Sequence, residues 1–123
     1  MQEHIQNELA SFIANCDWEK IAPHFKEDAA YRVLDWVGCA VAGEHYPQVE
    51  IAQKYFIENG DQGNSTVIGH QIKCSPRTAA FLNGIAGHVC ELDDGHRTAI
   101  GHPGSIAVPT ALALGEHLNA SGA

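Results

Sequence analysis

Apolar residues recur at helical spacings along most of the chain, and the polar interruptions between them are short. Residues 4 to 15 carry Ile5, Leu9, Phe12 and Ile13 at separations of three and four, which predicts an amphipathic helix docking one face on a neighbour. Asp17 and Trp18 break it. Pro23 then opens a stronger helix running to Gly43, with Phe25, Ala29, Val33, Trp36, Val37 and Ala40 along one wide stripe. Its small residues Gly38, Cys39, Ala40 and Ala42 admit a close helical neighbour, which predicts a central position in a bundle. Pro47 begins a third helix to about Glu58, with Ile51, Tyr55 and Phe56 expected inward and Asn59-Gly60 as the stop. After the polar loop NGDQGNS, the run Ser65-Thr66-Val67-Ile68 has room for at most one very short strand.

Ser75 as N-cap and Pro76 at the first helical position start a fourth helix, SPRTAAFLNGIAGHVCEL, for which Gly95 is the natural stop. A fifth, SIAVPTALALGEHLNA, is apolar nearly all round and should be buried. Pro109 removes a backbone donor there, so this helix either starts near Pro109 or kinks at it. The pattern as a whole predicts an all-α fold, a bundle of about five helices.

Composition narrows the function classes. With 123 residues, 45% apolar and 18% charged, the chain is globular and forms one domain or part of one. A net charge of −8 argues against nucleic acid and anionic membrane surfaces as partners. No apolar run is long enough to span a bilayer, and the opening MQEHIQNELASF lacks a signal peptide's basic start and apolar core, so a cytoplasmic location is expected. Cys16, Cys39, Cys74 and Cys90 match no zinc spacing and sit mostly in apolar runs, which predicts buried free thiols.

The chemistry concentrates in His88 to Gly104, HVCELDDGHRTAIGHPG. If the fourth helix stops at Gly95, then Glu91, Asp93 and Asp94 occupy its last turn, where each carboxylate is disfavoured by about 0.3–1 kcal/mol. A cluster of residues against local preference points to a functional site. His88, Glu91, Asp93, Asp94, His96 and His102 supply every group that general acid–base chemistry needs. His102 is the sharpest candidate, because Pro103 extends its backbone and Gly104-Ser105 leads into a helix N-terminus whose free amides suit a carboxylate. The spacing is not that of familiar metal hydrolases, and no metal is expected. Cys90, among acidic neighbours in an apolar helix, is a weaker nucleophile candidate. Lys73, Arg77 and Arg97 suit substrate carboxylates or solvated surface equally well.

AFLNGIAGHVCELDDGHRTAIGHPGSIAVPTALALGEHL resembles a segment of the MmgE/PrpD family, and RVLDWVGCAVAG and STVIGHQIKCSPRTAAFLNG resemble its opening helices and their connection. The family includes 2-methylcitrate dehydratase, cis-aconitate decarboxylase and iminodisuccinate epimerase. The resemblance implies that residues 1–123 are the N-terminal part of a large helical domain, with the smaller lid domain absent. It implies a lyase, dehydratase or decarboxylase, acting on a di- or tricarboxylic acid such as 2-methylcitrate without a cofactor, by proton abstraction next to a carboxylate. An epimerase of the family and a non-catalytic truncated helical module are the alternatives. Asp93, Asp94 and His102 are then the catalytic candidates, with Glu91, His96, Arg97, Thr98, Gly104 and Ser105 around the substrate. The chain is expected to work as a homodimer or to be completed by a C-terminal part, and to be inactive by itself.

Overall fold

The computed structural model describes residues 2–122, with side chains from residue 4 to 122. The helices are α1 (Gln2–Ala14), α2 (Pro23–Gly43), α3 (Pro47–Glu58), α4 (Pro76–His88) and α5 (Gly104–Leu118), with a single 3-10 turn at Trp18–Lys20. The prolines at the starts of α2, α3 and α4 sit in the first helical turn, as the sequence predicts, and Ser75 caps α4 by accepting from the Thr78 amide. Gly60, at φ 73°, carries the chain out of α3 in the left-handed region.

The all-α class holds, with one addition. Strand β1 (Ser65–Val67) pairs antiparallel with a second strand, β2 (Ile72–Cys74), so that Thr66 faces Lys73. Ile72-Lys73-Cys74 is too short to announce itself by alternation. The hairpin persists because its neighbours fasten it. Asn83 of α4 accepts from the Ile68 amide and donates to the Thr66 carbonyl, and Glu116 of α5 accepts from the Thr66 amide and hydroxyl.

The bundle is built around α4 rather than α2. Helices α2, α3 and α5 and both strands pack on α4. Two small cores result: Val67, Cys74, Ala79, Leu82 and Ala113 on one side, and Trp36, Ala40, Val49 and Ala86 on the other. Of the small residues expected to admit a neighbour on α2, Cys39 and Ala40 are buried while Gly38 and Ala42 are exposed, and the closest approach lies at Gly43, against the Ala86 backbone. The amino-terminal half of α2 stays bare, however, with Phe25 exposed. In α3 the stripe Val49, Ala52, Gln53 and Phe56 wins over Ile51 and Tyr55, because only it places Val49 against Trp36 and Phe56 against Phe81.

Two expectations of burial fail. Helix α5 buries only Pro109 and Ala113, and Ile106 is 73% exposed. Pro109 lies inside that helix, which starts at Gly104. The α1 face of Ile5, Leu9, Phe12 and Ile13 is exposed, and Cys16 is exposed where a buried thiol was expected, while Cys39 and Cys74 are buried. Among the described residues no helix is long and apolar enough to cross a membrane.

Candidate active site

Helix α4 ends at His88, well short of Gly95, and Glu91 adopts φ 53°. Glu91, Asp93 and Asp94 are therefore in a loop and escape the helix terminus that the sequence places them in. The left-handed turn at Glu91, whose amide donates to the His88 carbonyl, folds the chain back so that Asp93 lies under the end of α4. The segment from Val89 to Pro103 thus closes against both α4 and α5.

Asp93 is the centre of the arrangement. It is 7% exposed, its carboxylate is held by two hydrogen-bonding neighbours, and a third group stands close by. Ser105 donates its hydroxyl at 2.5 Å, His88 Nδ1 lies at 3.1 Å, and His102 Nδ1 lies at 3.2 Å off the hydrogen-bonding direction. Behind Ser105, the Trp36 indole N–H donates to the same hydroxyl oxygen at 3.2 Å, so the relay runs from a core tryptophan to a buried carboxylate. The two imidazoles stand with centroids 4.7 Å apart at 63°, and their outer Nε2 atoms face Glu91 at 3.5 and 3.9 Å. His88, Glu91 and His102 are the group whose geometry could hold a metal ion.

Burial works against the Asp93 charge, but the hydrogen bonds from Ser105 and His88, with backbone and charge effects, outweigh it and leave the carboxyl below its ordinary value. Asp93 is thus a carboxylate at neutral pH, which suits orienting an imidazole better than donating a proton. Asp94 points the other way. It accepts from the Gly104 amide at 3.0 Å and so caps α5, whose N-cap residue Pro103 offers no side chain to do it. A Cβ at Gly104 would stand 2.2 Å from Asp94 Oδ1, so any larger residue there would displace the capping carboxylate.

The predicted site residues thus separate. Asp93, His102, Glu91 and Ser105 converge, and His88 joins them from the end of α4. At the start of α5 the Gly104 amide serves Asp94 and the Ser105 hydroxyl serves Asp93. His96 and Arg97 share an open surface recess with His102. His96 is committed to its own turn, accepting from the Ala99 amide and pairing its backbone with Gly101. Thr98 and Arg97 are exposed and make no side-chain hydrogen bond or ion pair among the described residues. Lys73 is occupied elsewhere, with Glu116 at 2.7 Å.

Two residues enter that the sequence reading did not assign. Trp36 read as core, and its only signal was that a buried indole N–H needs a partner. Arg32 places Nη1 3.9 Å from Asp94 Oδ2 while bonding Asp28, and nothing in the local pattern of α2 marks it.

The MmgE/PrpD N-terminal domain profile matches residues 7–123. The chain belongs to the MmgE/PrpD family. It is 30% identical over 113 residues to the cis-aconitate decarboxylase-like protein oryM of Aspergillus oryzae, covering 92% of this chain and 23% of that one. It is 34% identical over 87 residues to human cis-aconitate decarboxylase, covering 70% of this chain and 18% of that one. This MmgE/PrpD chain therefore spans about a fifth of the length of the curated relatives it matches.

Proposed function

We propose that this MmgE/PrpD chain contributes the acid–base part of a lyase site acting on a di- or tricarboxylic acid, with cis-aconitate favoured over 2-methylcitrate by the names of the two relatives. The observation that carries the reading is the buried Asp93 carboxylate lying between the Nδ1 atoms of His88 and His102. Asp93 bonds His88 Nδ1 directly and stands 3.2 Å from His102 Nδ1, so a small turn of the His102 ring completes an Nδ1–H bond and leaves its outer Nε2 as a lone pair able to take a proton from carbon, or as the donor that returns one. His102 is the proton-transfer residue, Asp93 the orienting carboxylate, and Ser105 with Trp36 hold Asp93 in place. Asp94 acts by fixing the start of α5. In decarboxylation the electron pair of the broken carbon–carboxyl bond is left on carbon and takes a proton from the protonated imidazole; in dehydration the same imidazole removes the proton while hydroxyl departs.

The bare apolar faces of α1 and α5 support a homodimer or a longer polypeptide as the setting in which the site is complete. Net charge is negative and few basic side chains lie near the cluster, so the groups that neutralise a polycarboxylate come from outside these residues. The test is proton NMR of cis-aconitate, 2-methylcitrate and iminodisuccinate incubated with a polypeptide of the relatives' length carrying residues 7–123 unchanged. Turnover of cis-aconitate is expected, reduced about 10²–10⁴-fold by His102→Ala. Undiminished turnover in that variant would remove His102 from the mechanism, and dehydration or epimerisation alone would move the chain to the other reaction types.

A further inference from the structure

We propose that His88, Glu91 and His102 bind one divalent transition-metal ion of the zinc class, with Asp93 as the supporting carboxylate behind both imidazoles. The sequence spacing of these residues matches no familiar ligand pattern, and the fold alone brings them together. Their ligand atoms lie within 4.8 Å of one another. His88 Nε2 is 3.5 Å from one Glu91 oxygen and His102 Nε2 is 3.9 Å from the other. Zinc bonds of about 2.1 Å at tetrahedral angles put two ligands about 3.4 Å apart, so His88 and Glu91 already fit, and a set whose atoms lie within 4.8 Å of one another must draw together by at most about 1.4 Å. Glu91 can supply that movement, since its side chain is 71% exposed and, among the described residues, these two rings are its only basic partners.

The arrangement behind the rings is the stronger argument. Metal-ligating histidines commonly turn their second nitrogen toward a carboxylate, which sets the tautomer and raises ligand basicity. Here one buried carboxylate bonds His88 Nδ1 at 3.1 Å and stands 3.2 Å from His102 Nδ1, off the bonding direction, and both outer nitrogens face the same acid. Two imidazoles and one carboxylate select Zn²⁺, Co²⁺ or Ni²⁺ over Mg²⁺ and Ca²⁺, and leave positions open for water. The chain's net charge of −8 further favours a cation. Binding occupies the Nε2 lone pair through which His102 would move a proton, so, resting on the acid–base reading above, the ion is an inhibitor of the site and no part of its chemistry.

Calorimetric titration of the 123-residue chain with ZnCl₂, and visible absorption on adding CoCl₂, test this without any turnover. One equivalent is expected to bind, with Co²⁺ giving ligand-field bands of low coordination number. Glu91→Gln should weaken binding at least 10-fold, His88→Ala and His102→Ala should abolish it, and Asp93→Asn should weaken it 10–100-fold. His45→Ala, which alters a solvent-facing imidazole outside the cluster, should leave affinity unchanged. Glu91 is exposed, so its variant keeps the fold and circular dichroism verifies that it does. Absence of saturable zinc binding, binding indifferent to Glu91→Gln and His88→Ala, or equal affinity for MgCl₂ would each overturn the proposal. Loss of the catalytic reading leaves these titrations as they are, so the two fail separately.

Discussion

Replacing Gly43 with alanine and, separately, Gly38 with alanine makes the same chemical change twice in one helix, with opposite expected signs. Gly43 is the buried last residue of α2, and a Cβ built on it stands 2.0 Å from the Ala86 carbonyl oxygen and 2.7 Å from Val89 Cγ1. Carbon–oxygen contacts of this kind lie at about 3.4 Å, so α2 and α4 must part by roughly 1.4 Å where they cross. The obstacle is backbone and cannot rotate away. Parting the helices loosens the core of Trp36, Ala40, Val49 and Ala86, and overpacking of this severity costs about 3 kcal/mol. Alanine returns about 0.5–1 kcal/mol of helix stability over glycine, leaving a net loss of about 2 kcal/mol. Gly38 is exposed, and among the described residues nothing lies within 4 Å of a Cβ there, so the gain of about 0.5–1 kcal/mol stands alone. Urea unfolding followed by far-ultraviolet circular dichroism measures both, and emission from Trp36, the more buried of the two tryptophans, reports the crossing itself. The expected result is a midpoint lowered in Gly43→Ala and raised in Gly38→Ala at unchanged m. A Gly43→Ala protein as stable as its parent would refute the close approach of α2 and α4.

Two other outcomes follow from the way the hairpin is fastened. Asn83→Leu keeps the number of side-chain heavy atoms but strands the part-buried Ile68 amide and Thr66 carbonyl, so unfolding midpoints should fall by an amount equivalent to about 1–3 kcal/mol. Glu116 is held at about 2, first by its hydrogen bond from Lys73 and then by those from Thr66. Because the folded value lies below the unfolded one, this contribution is fully present above about pH 5 and is lost as pH falls toward 2. Glu116 is more than a third exposed, so solvent screening keeps its size below about 1 kcal/mol; stability measured from pH 6 to 2 should drop less steeply in Glu116→Gln than in the parent.

The helix starts were legible because proline and serine act locally: Pro23, Pro47 and Ser75-Pro76 each mark a first turn whatever lies around it. The end of α4 was not. Gly95 is the residue best suited to stop a helix, but the chain turns at Glu91, a residue with no intrinsic preference for positive φ. What holds it there is tertiary, the burial of Asp93 between α4 and α5. The same distance problem hid the relay, since Trp36 and Ser105 are 69 residues apart and each has a sufficient local explanation. Glu91, Asp93 and His102 could be picked out by residue type, whereas the opposite orientations of Asp93 and Asp94 depend on where α5 begins. Central position was misjudged for a related reason. Small residues on α2 show that something approaches closely, but not that α4, with neighbours on several faces, is the hub.

Consecutive residues facing opposite ways also set where this protein tolerates changes in length. Asp93 is tied to Ser105 and Asp94 to Gly104, so the chain is pinned on both sides of one peptide bond to the start of a helix. The segment 95–101 lies outside those pins as an eyelet, with Ile100 92% exposed at its tip. Insertions there lengthen only the eyelet, and each doubling of a loop's length adds only about 0.6 kcal/mol of closure entropy. A residue added between Asp94 and Gly95 should therefore be borne easily, while one added between Asp93 and Asp94 would pull a pin.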